Sequence, residues 1–289
     1  MQPPASPLVD VDWLAAHIQD PNVRVVDVRW YLGRRRGGAE AYERGHIPEA
    51  VYLDVDRDLA APPGSGPGRH PLPDAKAFAR TLAGLGVTPS SIVVAYDDAG
   101  GAIAARLWWL LRYFNHPGGR VLDGGIQAWT ARGHALSTDD PFVLLSSEME
   151  LSPGGAGVVD KTEVNALRGD PRAALLLLDA RARDRYEGIQ EPIDARAGHI
   201  PGAKSAPFVE NLVAPGGVLL PRADLERRYR ELGALDAEKV IAYCGSGVTA
   251  CHDLLALAHI GREDALLYEG SWSDWARDDD LPIATGPDP

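Results

Sequence analysis

The residues of this chain best suited to chemistry lie in Tyr243-Cys244-Gly245-Ser246-Gly247-Val248-Thr249-Ala250, where an apolar run ends in one cysteine and a glycine-rich turn leads into a helix. Such a turn aims backbone N–H groups and the positive end of a helix dipole at the cysteine sulfur, which favours its anionic, nucleophilic form. Glycines at 245 and 247 let the backbone curl close, so N–H groups from Gly245, Ser246, Gly247, Val248 and Thr249 can hold negative charge as an oxyanion hole does. Cys244 is therefore the candidate nucleophile, and its own loop the candidate anion cradle. Free cysteine is also among the most buried and inert residue types. That plainer reading suits Cys251, which lies inside the apolar helix predicted from Cys251 to His259.

The elements that must position this loop are legible as a repeat. Val25-Val26-Asp27-Val28-Arg29 recurs as Leu177-Leu178-Asp179-Ala180-Arg181, and Gly45-His46-Ile47-Pro48 recurs as Gly198-His199-Ile200-Pro201. Val93-Val94-Ala95-Tyr96-Asp97 matches Val240-Ile241-Ala242-Tyr243-Cys244, and Leu122-Asp123-Gly124-Gly125 with Trp129 matches Tyr268-Glu269-Gly270-Ser271 with Trp275. The four signatures keep their order at a spacing of about 150 residues, which marks two copies of one unit. Within each copy short apolar strands alternate with amphipathic helices, as in Ala75–Leu85 before Ile92–Tyr96 and Arg222–Leu232 before Val240–Tyr243. This alternation predicts an α/β fold, twice over, each copy a mostly parallel sheet flanked by helices. The expected division is residues 1–140, a linker at 141–160 where Ser152-Pro153-Gly154-Gly155-Ala156-Gly157 breaks the pattern, and 161–289. The Pro/Gly-rich stretch Pro62–Pro73 reads as a surface loop of the first half. Because the first copy carries Asp97 where the second carries Cys244, and a carboxylate is no soft sulfur nucleophile, chemistry is expected in the second half alone.

Composition bounds the partners. The 289 residues are 45% hydrophobic with a net charge of −12, which suits two compact domains and argues against nucleic acid or an anionic membrane as partner. The only cysteines are Cys244 and Cys251, and Met1–Pro7 is no charged-then-apolar leader, so a reducing cytoplasm is expected. Apolar stretches such as Ala173–Leu178 and Leu107–Leu111 fall far short of the roughly 20 residues of a membrane span. No Cys-x2-Cys or His-x3-His pair suggests a metal.

The two Asp-x-Arg strand ends, the two Gly-His-Ile-Pro turns, the Cys-Gly-Ser-Gly-Val-Thr loop and the paired glycine motifs followed by tryptophan resemble the two-domain rhodanese and 3-mercaptopyruvate sulfurtransferase family, over roughly Leu8 to Pro282. The resemblance implies two tandem rhodanese-like domains, no cofactor and a ping-pong reaction. Cys244 would take a sulfane sulfur from a small anionic donor, thiosulfate or 3-mercaptopyruvate, as a persulfide and pass it to cyanide or a thiol. Arg185, in Asp184-Arg185-Tyr186, matches the family's donor-binding arginine, and a guanidinium suits a carboxylate or sulfonate. The second arginine that mercaptopyruvate enzymes carry after Glu-Pro is replaced here by Ile193, with Arg196 a nearby substitute. Gly245-Ser246, where thiosulfate-preferring members carry basic residues, points instead to mercaptopyruvate, so both donors stay open. A serine, histidine and acid relay found in some members would map to Ser246 and His46, with Glu40 the only acid in Arg34–Glu40. His199, Arg29 and Arg181 sit at positions repeated in both halves and are expected to fix turns and salt bridges. A cysteine-dependent phosphatase would need Cys-x5-Arg, and Ala250 stands where that arginine would be. A non-catalytic or regulatory sulfur-carrier or binding protein would need both halves to lack the nucleophile, which is true only of the half with Asp97.

Overall fold

A computed structural model describes residues 5–170, 174–213 and 217–289. Met1–Pro4 of the N-terminal segment and Ala173 of the apolar stretch 173–178 lie outside the described residues. In chain order the strands are β1 (Leu8–Val9), β2 (Val23–Asp27), β3 (Ala50–Tyr52), β4 (Ile92–Tyr96), β5 (Gly119–Leu122), β6 (Val158–Val159), β7 (Leu175–Asp179), β8 (Ala203–Ser205), β9 (Leu212–Val213), β10 (Val218–Leu219), β11 (Lys239–Tyr243) and β12 (Leu266–Tyr268). The helices are α1 (Val11–His17), α2 (Gly37–Arg44), α3 (Val55–Asp58), α4 (Ala75–Gly84), α5 (Ala104–Tyr113), α6 (Gly125–Ala131), α7 (Lys161–Arg168), α8 (Arg183–Tyr186), α9 (Arg222–Glu231), α10 (Ala250–His259) and α11 (Ser271–Trp275).

The chain forms two compact units. The first gathers the described residues up to Ala61, Pro73–Ala156 and the β9–β10 hairpin; the second gathers Pro62–Leu72, the described part of Gly157–Asn211, and Leu220–Pro289. Each contains a five-stranded parallel sheet of the same order, β1-β5-β4-β2-β3 and β6-β12-β11-β7-β8. A strand covered on both faces must be apolar throughout. This holds for β4, Ile-Val-Val-Ala-Tyr, which is buried at every position, and for β11, buried at all but Lys239.

Four helix starts, those of α1, α3, α4 and α7, are set by aspartates whose side chains accept the first free N–H groups. Asp10 caps α1, Asp74 caps α4, and Asp160 forms a capping box with Glu163 on α7. In the first unit Val25, Ile47, Val94, Tyr96, Leu122 and Trp129 pack one core; Leu177, Ile200, Ile241, Tyr243, Trp272 and Trp275 pack the other. The repeated polar residues lock each sheet to its turn. Arg29 grips Asp27 at 2.6 Å and donates to the Gly45 carbonyl at 2.8 Å, while Arg181 grips Asp179 at 2.6 Å and donates to the Gly198 carbonyl at 2.6 Å. His199 stacks on Tyr186 with ring centres 3.7 Å apart and bonds its carbonyl through Nδ1 at 2.8 Å.

Candidate active site

The central strand β11 delivers Cys244 to the turn that opens α10, and the sulfur-bearing residue is 2% exposed. The start of the loop is pinned by the turn at the head of α11. The Cys244 N–H donates to Ser271 Oγ at 3.1 Å, the Cys244 carbonyl accepts from the Trp272 N–H at 2.9 Å, and the Gly245 carbonyl accepts from the Ser273 N–H at 2.9 Å. Among the described residues the N–H groups of Gly245, Ser246 and Val248 find no acceptor. Val248 is buried, and Thr249 sits at the N-cap of α10 without a side-chain cap. Cys251 is fully buried inside that helix, and its thiol donates to the Gly247 carbonyl at 3.3 Å, so it braces the loop from behind.

The equivalent loop of the first unit displays what this geometry binds. Asp97, at the Cys244 position, receives four backbone N–H groups: Ala99 and Gly101 at 2.8 Å on Oδ1, Ile103 at 2.7 Å and Ala104 at 2.8 Å on Oδ2. The turn between the central strand and the next helix is thus an anion cradle, filled there by the protein's own carboxylate.

Charged side chains gather around Gly245. Arg185 donates through Nη2 to Glu191 Oε1 at 2.6 Å and to Asp194 Oδ2 at 3.1 Å, and through Nε to Glu191 Oε2 at 3.2 Å. Asp194 also pairs with Arg69 Nη1, so one carboxylate bridges two guanidinium groups. Burial raises the Asp194 carboxyl above its ordinary range, with Arg69 pulling it down, Glu191 pushing it up and Arg185 pulling it down. The two guanidinium groups crowd Gly245: a Cβ on it would lie 2.9 Å from Arg69 Nη2 and 3.6 Å from Arg185 Nη1.

Arg69 reaches this place from the stretch the sequence reading left as a surface loop of the first half. Residues 62–72 instead pack into the second unit. A Pro/Gly-rich segment has no apolar face to hold it at home, and its anchors are polar and remote in sequence. Gly68, at φ +69°, brings the backbone so near the Gly270 carbonyl that a Cβ would sit 2.5 Å from it, and the Arg69 N–H donates to Ser273 Oγ at 3.0 Å.

The same segment supplies the partner of Ser246. His70 Nδ1 lies 2.7 Å from Ser246 Oγ, and both are buried. The expected pairing of Ser246 with His46 is therefore not the one present. His46 spends Nδ1 on the Tyr42 carbonyl at 3.0 Å and Nε2 on the Asp139 carbonyl at 3.1 Å, and stacks on Tyr42 as its repeat mate His199 stacks on Tyr186. Arg196 is likewise committed elsewhere: its guanidinium donates to the carbonyls of Trp275, Ala276, Asp278 and Leu281, tying down the C-terminal turn. Arg69, His70, Glu191 and Asp194 were missed as site residues. A usable signal existed for the first two: keeping the helix starts Ala75 and Arg222 and the pair Asp97 and Cys244 in register puts Gly216 and Gly217 opposite them, so they are as unique to one copy as Cys244.

Among the described residues no group of three or more His, Cys, Asp and Glu side chains is arranged to hold a metal ion, and no helix is long and apolar enough to cross a membrane.

Comparison with known proteins agrees with the repeat. The rhodanese-like domain matches twice, over residues 10–132 and 160–278. A probable 3-mercaptopyruvate sulfurtransferase of Pseudomonas aeruginosa is 43% identical over 96% of this chain and 98% of its own length. A putative thiosulfate sulfurtransferase, SseB of Mycobacterium tuberculosis, is 36% identical over 99% of both chains. Among solved structures, SseA of Escherichia coli, described among 3-mercaptopyruvate sulfotransferases, superposes with a TM-score of 0.80 at 33% identity, over 93% of this chain and all of that one. With two rhodanese-like domains and relatives that span its length, this chain belongs to the two-domain rhodanese and 3-mercaptopyruvate sulfurtransferase family of sulfur-transferring enzymes.

Proposed function

We propose that residues 161–289, with the segment 62–72 packed among them, form the catalytic half, joined through 141–160 to a supporting half made by the rest of 1–140, and that Cys244 carries sulfur as a persulfide between a small anionic donor and a thiol or cyanide acceptor. The observation that carries this reading is the pair of cradles: the turn that closes four N–H groups on Asp97 holds a sulfur nucleophile at the same place in the second unit. The donor is 3-mercaptopyruvate, with thiosulfate as the second choice. Glu191 and Asp194 balance the charge of Arg185 and Arg69, and no basic side chain stands at 245 or 246, which suits a monoanionic carboxylate better than a dianion. The name and identity of the Mycobacterium tuberculosis relative support thiosulfate as the alternative.

In the first half-reaction the Cys244 thiolate attacks the thiol sulfur of 3-mercaptopyruvate, the S–S bond forms, and the C–S bond breaks with its electron pair passing to carbon as the pyruvate enolate. That carbon then takes a proton. Ser246 Oγ, backed by His70, is the group within the site that can pass one, while Arg185 holds the carboxylate. In the second half-reaction the acceptor attacks the outer sulfur and the thiolate of Cys244 leaves. With thiosulfate the leaving group is sulfite and no proton is needed. Both cysteines are buried and neither forms a disulfide, which supports a reducing compartment such as the cytoplasm. Steady-state kinetics test the reading: parallel lines in double-reciprocal plots are expected for wild type with either donor, and no turnover for Cys244→Ser. Turnover retained in that variant would reject it.

A further inference from the structure

We propose that Ser271 is a positioning residue for the reaction, holding the Cys244 backbone so that the sulfur faces the amides of its own loop; this assignment rests on the sulfur-transfer reading above. Ser271 opens α11 at φ +52°, in the left-handed region that a side chain disfavours. Of the four non-glycine residues with positive φ among those described, it alone is buried. Its hydroxyl has one proton, which goes to the Tyr268 carbonyl at 2.9 Å. A lone pair is thereby turned to the Cys244 N–H at 3.1 Å. The parallel pairing of β11 with β12 ends at Ala242 and Leu267, so this hydroxyl ties the two strands together just past that end, at the nucleophile itself.

The first unit shows that the turn itself needs no side chain here. Gly125 holds the equivalent position at φ +55°, and the Ile126 N–H donates to the Asp97 carbonyl at 3.1 Å as the Trp272 N–H does to the Cys244 carbonyl at 2.9 Å. A Cβ on Gly125 would lie 2.2 Å from the Asp97 carbonyl oxygen, so that copy has no room for one. The second unit makes the room and accepts the strain, and what it gains is a hydroxyl on the nucleophile's amide. Strain kept by a buried residue beside a reacting group points to function when glycine would build the same turn without it. Asp97 needs no such help, because four N–H groups aim its carboxylate. Sulfur is a weak hydrogen-bond partner, so the direction of a cysteine side chain has to come from its backbone. With the Cys244 N–H held by Ser271 and its carbonyl held by Trp272, both peptide groups that flank its Cα are fixed.

The test removes the strain and the hydroxyl together, and then the hydroxyl alone. Ser271→Gly should melt close to the wild type, because relief of the left-handed φ offsets the lost hydrogen bonds. Ser271→Ala, which keeps the strain and leaves the Cys244 N–H without an acceptor, should melt lower. In both variants kcat with 3-mercaptopyruvate is expected to fall about tenfold with KM nearly kept, since Ser271 has no part in holding the donor. Alkylation by iodoacetamide, which bonds carbon to Cys244 Sγ with loss of iodide, reads the thiolate. Followed on the Cys244 peptide, its pH midpoint should rise by about one unit in both variants as the sulfur loses its aim at the loop amides. Arg69, His70, Arg185, Glu191 and Asp194, the charged and titratable groups gathered at the loop, are the same in every variant, so the shift reads the amides. A Ser271→Gly protein with the wild-type midpoint and kcat, or variants that lose stability while the midpoint stays put, would overturn the assignment. A raised midpoint in the variants of a wild type that forms no persulfide would keep the hold of Ser271 on the thiol and overturn the sulfur-transfer reading instead.

Discussion

The turn after β4 and the turn after β11 are the same device put to different uses. In the first unit Asp97 reaches into its own cradle and satisfies four N–H groups. In the second unit a cysteine stands there, and the amides of Gly245, Ser246 and Val248 find no acceptor among the described residues. The same turn thus carries a carboxylate in one unit and a thiol in the other, and the proposed chemistry needs only the second. The contrast extends into the following helices. Where α5 buries Arg106, α10 buries Asp253, whose Oδ1 accepts from Asn211 at 2.7 Å and Tyr229 at 3.2 Å while Oδ2 has no partner.

The comparison can be broken most sharply at its two centres. Cys244→Ser is expected to cut sulfur transfer by at least about a thousandfold with little change in melting temperature, because the loop is pinned by backbone bonds that the substitution leaves alone. The mirror experiment, Asp97→Ala, should do the reverse. It strands three buried N–H groups and one part-buried one and is expected to cost about 3–5 kcal/mol in chemical denaturation, while turnover at temperatures where the protein stays folded is kept. A stable Asp97→Ala protein would mean the cradle does not depend on its anion.

Ser246→Ala sharpens the role of the proton. It should lower kcat with 3-mercaptopyruvate about a hundredfold, since the enolate carbon must be protonated, and leave thiosulfate nearly untouched, since sulfite needs no proton. Equal losses with both donors would assign Ser246 to loop geometry instead.

The smallest effect concerns Asp253. Burial pushes its carboxyl up to about 7, against the pull of Arg228 and of its hydrogen bonds from Asn211 and Tyr229. Between about pH 4 and pH 7 the fold keeps this proton while the unfolded chain has released its own, so stability falls as pH rises through that window and levels off above it. Asp253→Asn should flatten that part of the melting-temperature profile. A slope unchanged by the substitution would show that other groups produce it.

Much of this was readable in the chain itself, and the reasons are physical. Buried parallel strands must be apolar, so β4 and β11 stood out as runs, and the helices α4, α9 and α10 followed from periodicity nearly to the residue. The repeat marked residues that build the fold: Arg29, Arg181 and His199 occur at repeated positions and do fix turns. His46 obeys that rule too, and was set apart from it only by resemblance. What stayed hidden was tertiary. Arg69 and His70 meet partners 125 and 176 residues away, and nothing local in a Pro/Gly-rich loop says which unit it will pack on. Arg196 looked available because the four backbone carbonyls that hold it leave no mark in the sequence.

The most direct test is to locate the transferred atom. After incubation with 3-mercaptopyruvate and digestion without reductant, the peptide containing Cys244 should gain the mass of one sulfur atom, lose it again on addition of cyanide, and show it on Cys244 with Cys251 unmodified. A peptide that gains nothing, or that carries the added sulfur on Cys251, would contradict the account.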